Sequence, residues 1–67
     1  MPPLPPVNVN RASLRELQRI PGIGLTIGRK LVAYREQHGP IQSIEQLRQL
    51  DWWTRQAQQA EPYLCFE

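Results

Sequence analysis

At 67 residues the chain has room for one domain and not two, and a chain of this size buries only about 60% of the surface its unfolded form exposes. Its apolar fraction of 40% is ordinary for a globular chain, and eight Lys and Arg against six Asp and Glu leave a net charge of +2. That balance permits a nucleic-acid partner without demanding one, the single Cys65 excludes an internal disulfide or a cysteine-based metal site, and no apolar run approaches the ~20 residues of a membrane span.

Residues 1–6 hold four prolines, which favour extended polyproline II and resist helix. They read as a tail or linker, with the folded domain over residues 7–67. The segment has neither the basic nor the hydrophobic region of a signal peptide, so the chain either works where it is made or is one domain of a longer protein. Val7-Asn8-Val9-Asn10 leads into a first helix, for which Ser13 and Glu16 form a capping-box pattern and Asn10 is a second candidate cap. Ala12, Leu14, Leu17 and Ile20 supply its apolar stripe, and Pro21-Gly22 ends it. A second helix follows Gly24, with Ile27, Leu31 and Tyr34 on one face and Gly39-Pro40 as its stop.

Ser43 opens a third helix, again as a capping box, now with Gln46, and Ile44, Leu47 and Leu50 face inward. Asp51-Trp52-Trp53-Thr54 is a break in which Asp51 and Thr54 are both candidate caps. A fourth helix is expected over residues 55–61 with Ala57 and Ala60 inward, Pro62 marks its exit, and Tyr63-Leu64-Cys65-Phe66 packs back on the core. No element reads as a strand beyond a weak tendency near residues 7–9 and 63–66. The fold class is all-α.

The informative stretch is Pro21-Gly22-Ile23-Gly24, a turn between two helices with glycines two apart. Glycine accepts positive φ without steric cost, so the chain can reverse in few residues. Ile23 can turn inward and pin the turn, while amides of the turn and of the next helix point outward. A helix N-terminus with no side chain in the way is an anion site, and a nucleic-acid phosphate fits it without any base being read. Six of the eight basic residues also lie in the first half: Arg11, Arg15, Arg19, Arg29, Lys30 and Arg35, against Glu16 and Glu36.

At this point the chain resembles the helix-hairpin-helix family, in particular the tandem domain of ComEA-type competence proteins that bind DNA during uptake. The residues that carry the resemblance are Val7-Asn8-Val9-Asn10-Arg11-Ala12-Ser13, Glu16-Leu17, Ile20-Pro21-Gly22-Ile23-Gly24, Tyr34-Arg35 and Ile44-Glu45-Gln46-Leu47. It implies a small tandem domain of four to five short helices that binds double-stranded DNA without sequence preference, in DNA uptake or DNA repair. Gly22, Ile23 and Gly24 would present amides to phosphate, with Thr26, Arg29 and Lys30 in support. Where family members place lysines or a proline after the second glycine, this chain has Leu25, Thr26 and Ile27. Gly28 stands where the family brings two helices close together.

The second hairpin is degenerate by the same comparison. Asp51-Trp52-Trp53-Thr54 lacks the glycines, is one residue shorter before Pro62, and sets a carboxylate where phosphate would sit. One tryptophan of the pair is expected in the core and the other at a protein contact or a base-stacking surface. The alternative reading is therefore a protein-interaction module that has kept the fold and lost DNA. Degenerate hairpins of the family also occur in a small extrinsic photosystem II subunit whose task is protein docking. No enzymatic role is expected: His38 reads as a helix C-terminal residue favoured by the dipole, and Glu16, Glu36 and Glu45 as caps or solvated surface. No cofactor and no metal are expected, and the chain is expected to be a monomer. The location follows from the extent of the chain, cytoplasmic if it is complete and extracytoplasmic if it is part of a ComEA-type protein.

Overall fold

In a computed structural model, residues 6–66 of the chain are described. The proline run expected as a tail lies outside them except for Pro6, which is exposed and has no regular structure. The element order is β1 (Val7–Asn8), α1 (Leu14–Gln18), α2 (Leu25–His38), α3 (Ile44–Arg48), α4 (Arg55–Gln58), a 3-10 turn (Glu61–Tyr63) and β2 (Leu64–Cys65). The all-α reading holds, with one addition at the two places of weak β tendency. There β1 and β2 pair in parallel, Val7 with Leu64 and Asn8 with Cys65, and tie the two ends of the domain together.

The Ser13 capping box forms as the spacing predicts. The Ser13 hydroxyl accepts the Glu16 amide at 3.2 Å, and the Glu16 carboxylate accepts the Ser13 amide at 3.1 Å. The same pattern at Ser43 does not form. Ser43 is the N-cap of α3 without a side-chain bond, and Gln46 Oε1 instead accepts the amide of Gln42 at 2.6 Å. The Gln46 side chain thus satisfies a donor one residue further upstream than the box would. Asn10, the second candidate cap for α1, has a different task. Its side chain pairs with the peptide of Ile41 in both directions, Nδ2 donating at 2.9 Å and Oδ1 accepting at 2.7 Å. The fourth helix is shorter than expected, ending at Gln58 before the 3-10 turn takes over, yet Ala57 and Ala60 are both fully buried.

One cluster of buried side chains runs through the domain, from Val9, Leu17, Ile20 and Ile23 through Leu31 and Ile41 to Leu47, Trp53 and Leu64. Gly28 is buried where α1 crosses α2, and a Cβ there would stand 2.8 Å from the Leu14 Cδ1 atom, so its role is packing. Arg35 also turns inward. Its Nη1 donates to the carbonyls of Val9 at 2.9 Å and Ala12 at 2.6 Å, fixing the lead-in loop against α2. It therefore leaves the set of free surface cations that its position in the sequence suggested. Among the described residues no helix is long and apolar enough to cross a membrane.

Candidate nucleic-acid interface

The domain is built from one hairpin used twice. α3 and α4 begin thirty residues after α1 and α2, from Leu14 to Ile44 and from Leu25 to Arg55. The inward anchors correspond: Leu17 with Leu47, Ile20 with Leu50, and Ile23 with Trp53. Ile23 donates its amide to the Ile20 carbonyl at 3.0 Å, and Trp53 donates to Leu50 at 3.1 Å. The two turns thus have equal length, which corrects the expectation of a missing residue in the second. The tryptophans divide as their adjacency demands: Trp53 is buried as a core anchor and Trp52 is half-buried.

The turns differ in their donors. In the first, Gly24 is the N-cap of α2 in extended conformation, it is exposed, and it brings no capping side chain. The amides of residues 24–27 have no acceptor among the described residues, and neither has that of Gly22. These donors stand at the start of a fourteen-residue helix, whose macrodipole adds partial positive charge worth about half an elementary charge. A Cβ placed on Gly24 would meet nothing within 4 Å, so the approach is open. In the second turn, Thr54 caps α4 with its own hydroxyl, which accepts the Ala57 amide at 3.2 Å, and the Thr54 amide donates to the Trp52 carbonyl at 3.1 Å. Two of the donors left open in the first hairpin, the amides of Gly24 and Ile27, thus have counterparts closed by the chain itself in the second, at Thr54 and Ala57.

Gly22 has another reason to be glycine. Its φ is +92°, and a Cβ there would lie 2.5 Å from the Gln56 carbonyl oxygen and 3.2 Å from the Gln59 Cβ. The first turn is therefore seated against α4, and Gly22 joins the two hairpins. Of the expected trio, Ile23 is buried and its amide is bonded to Ile20, so it anchors the turn and has no donor to offer. Thr26, Arg29 and Lys30 are exposed along the start of α2. Leu25, 47% exposed, is the one large apolar side chain left in solvent among the described residues.

Charge follows the same division. No carboxylate occurs between Glu16 and Glu36, a stretch that carries the exposed Arg19, Arg29 and Lys30. The second hairpin carries Glu45, Asp51 and Glu61. Glu61 takes a two-pronged contact from Arg48, with Nη2 at 2.6 Å and Nε at 3.3 Å, and accepts the Trp53 indole N–H at 3.2 Å. The Arg48 hydrogen bond holds this carboxyl below the usual glutamate range, against a burial effect in the other direction, and the Trp53 bond adds to the lowering. Arg48 is thereby ion-paired, and Arg55 is the second hairpin's other exposed cation.

A family model described as a helix-hairpin-helix motif matches residues 4–65. Among relatives, ComE operon protein 1 of Bacillus subtilis (strain 168) is 46% identical over 41 residues, which make up 61% of this chain and 20% of that protein. Endonuclease/exonuclease/phosphatase family domain-containing protein 1 is 37% identical over 51 residues in both Mus musculus and Rattus norvegicus, 76% of this chain and 9% of each relative. The chain thus spans a fifth or less of the length of these relatives.

Proposed function

This chain belongs to the helix-hairpin-helix family, and from that premise we propose that it binds double-stranded DNA without reading its sequence, through phosphate contacts of the first hairpin. The observation that carries the reading is the contrast between the caps: Gly24 leaves the amides of residues 24–27 open, whereas at the equivalent cap the Thr54 amide is bonded to Trp52 and the Thr54 hydroxyl takes the Ala57 amide. In this reading a phosphate oxygen sits at the head of α2 on those amides. The Thr26 hydroxyl donates one further hydrogen bond, and Arg29 and Lys30 supply the charge one turn along. Gly22 keeps the turn seated on α4 and Ile23 keeps it pinned to the core. Binding is the whole of the activity assigned, and the similarity to ComE operon protein 1 supports a place in DNA uptake.

One hairpin of this kind makes about one to three phosphate contacts, so log K falls against log salt with a slope of roughly −1 to −3. Affinity then lies in the non-specific range, on the order of 10⁻⁴–10⁻⁶ M. Titration of a labelled duplex at two salt concentrations, for the native chain and for Arg29→Glu with Lys30→Glu, tests the proposal. Charge reversal is expected to abolish binding at low salt. Absence of binding by the native chain, or indifference to the reversal, would favour the protein-docking reading, which has its own support in the exposed Leu25 at the hairpin tip.

A further inference from the structure

Beside the second hairpin lies an open groove of about 340 Å³, lined by Lys30, Tyr34, His38, Leu50 and Trp52 among others. Its size falls at the lower end of the range typical of small-ligand sites, about 300–1,000 Å³. Three aromatic rings form its wall. Tyr34 and His38 lie with centroids 4.6 Å apart at 32°, and Trp52 meets Tyr34 edge-on at 6.3 Å. The groove's charged lining is the Lys30 ammonium, and no carboxylate lines it. Asp51, next to Trp52 in the chain, is exposed and outside the lining.

We propose that this groove takes an unpaired nucleobase, so that the domain favours duplex DNA with a frayed end or single-stranded overhang over blunt duplex. The proposal rests on the first hairpin holding the phosphate, and deepens that reading by naming the DNA form preferred. Its chemistry is that of single-strand binders, in which aromatic rings stack bases of any sequence beside a cationic track for the backbone. Continuity with the phosphate site comes from α2 itself. Thr26, Lys30, Tyr34 and His38 recur every four residues and so form one continuous row along that helix, which winds by about 40° at each step. From Thr26 to Tyr34 the helix rises about 12 Å. At the B-form rise of about 3.4 Å per nucleotide, that distance is roughly three to four nucleotides. A strand whose phosphate is held at the head of α2 therefore delivers a base a few nucleotides further on to Tyr34 and Trp52, with Lys30 between them.

The test compares three probes on the native chain: a blunt duplex, the same duplex with an oligothymidine overhang at either end, and the same overhang built from abasic sites. The thymine overhang is expected to bind about tenfold tighter than the abasic one, the increment that one base on an aromatic ring provides. The abasic probe should stay close to the blunt duplex. Trp52→Leu should remove the preference and leave blunt-duplex affinity unchanged. Equal affinity for thymine and abasic overhangs overturns the inference while leaving the hairpin reading intact, and this comparison stands even if the variant folds poorly. Loss of binding to all three probes at low salt strikes both. A Trp52 indole N–H resonance that the thymine overhang does not move, but a protein partner or a second copy of the chain does, also overturns it.

Discussion

Gly22 is the position where the tandem architecture is most exposed to a single methyl group. In Gly22→Ala the new Cβ meets the Gln56 carbonyl oxygen at 2.5 Å, the Gln59 Cβ at 3.2 Å and the Ala60 nitrogen at 3.3 Å, in a backbone held at φ +92°. The positive φ costs an L-residue about 1–2 kcal/mol, and forcing atoms into a packed contact costs typically about 1–3 kcal/mol. Loss of unfolded-state freedom returns about 0.4–1 kcal/mol, so the net destabilisation is about 2–4 kcal/mol. A domain of 67 residues has roughly 3–10 kcal/mol of stability in total. With unfolding entropy near 2.1 cal/mol/K per residue, each kcal/mol moves Tm by about 7 °C, and Gly22→Ala should lower it by roughly 15–30 °C. Thermal unfolding followed by far-UV circular dichroism reads this directly. Gly24→Ala is the control, because φ there is −99° and a Cβ meets nothing within 4 Å, so its Tm should stay within a few degrees of the native chain. A Gly22→Ala domain as stable as the control would refute the assignment of Gly22 to the contact between the hairpins.

Gly24→Thr transplants the cap of the second hairpin into the first. The new hydroxyl should accept the Ile27 amide as Thr54 accepts Ala57, adding about a few tenths of a kcal/mol of stability while weakening duplex binding about five- to tenfold. Raised Tm with unchanged DNA affinity at low salt would show that the open amides are not the phosphate site. Glu61 gives a pH prediction whose sign follows from its depressed pKa. The stabilisation from its Arg48 and Trp53 bonds is fully present above the ordinary glutamate value and is lost as pH falls through the lower folded value. The Tm difference between the native chain and Glu61→Gln should therefore be largest at neutral pH and shrink in acid, and a difference independent of pH would contradict the network.

Much of the domain was legible because local chemistry decided it. Ser13 and Glu16 satisfy each other across three residues, and the stripes of α1, α2 and α3 bury Leu17, Leu31 and Leu47 and set Ile27, Tyr34, Ile44 and Leu50 half-buried against the core. The Gly22 and Gly24 spacing located the hairpin, and the substituted turn at Asp51-Trp52-Trp53-Thr54 located its closed counterpart. What stayed hidden depends on contacts distant in the chain. Asn10 looks like a cap until Ile41 is beside it, thirty-one residues on. Arg35 counts as surface charge until its guanidinium is found on the Val9 and Ala12 carbonyls. The seating of Gly22 against α4 shows only in the fold, and the groove of Tyr34, His38 and Trp52 exists only once α2 lies next to the second turn. The capping box at Ser43 failed for a local reason, since Gln46 had a competing donor at Gln42.

The central claim, that one hairpin of the two meets DNA, is tested most directly by amide chemical-shift mapping with a blunt duplex at low salt. Shifts are expected to concentrate at Gly22 and residues 24–30, where the open amides and the exposed Arg29 and Lys30 lie, with residues 53–58 unmoved. Shifts confined to the second turn, or spread evenly over both hairpins, would contradict it.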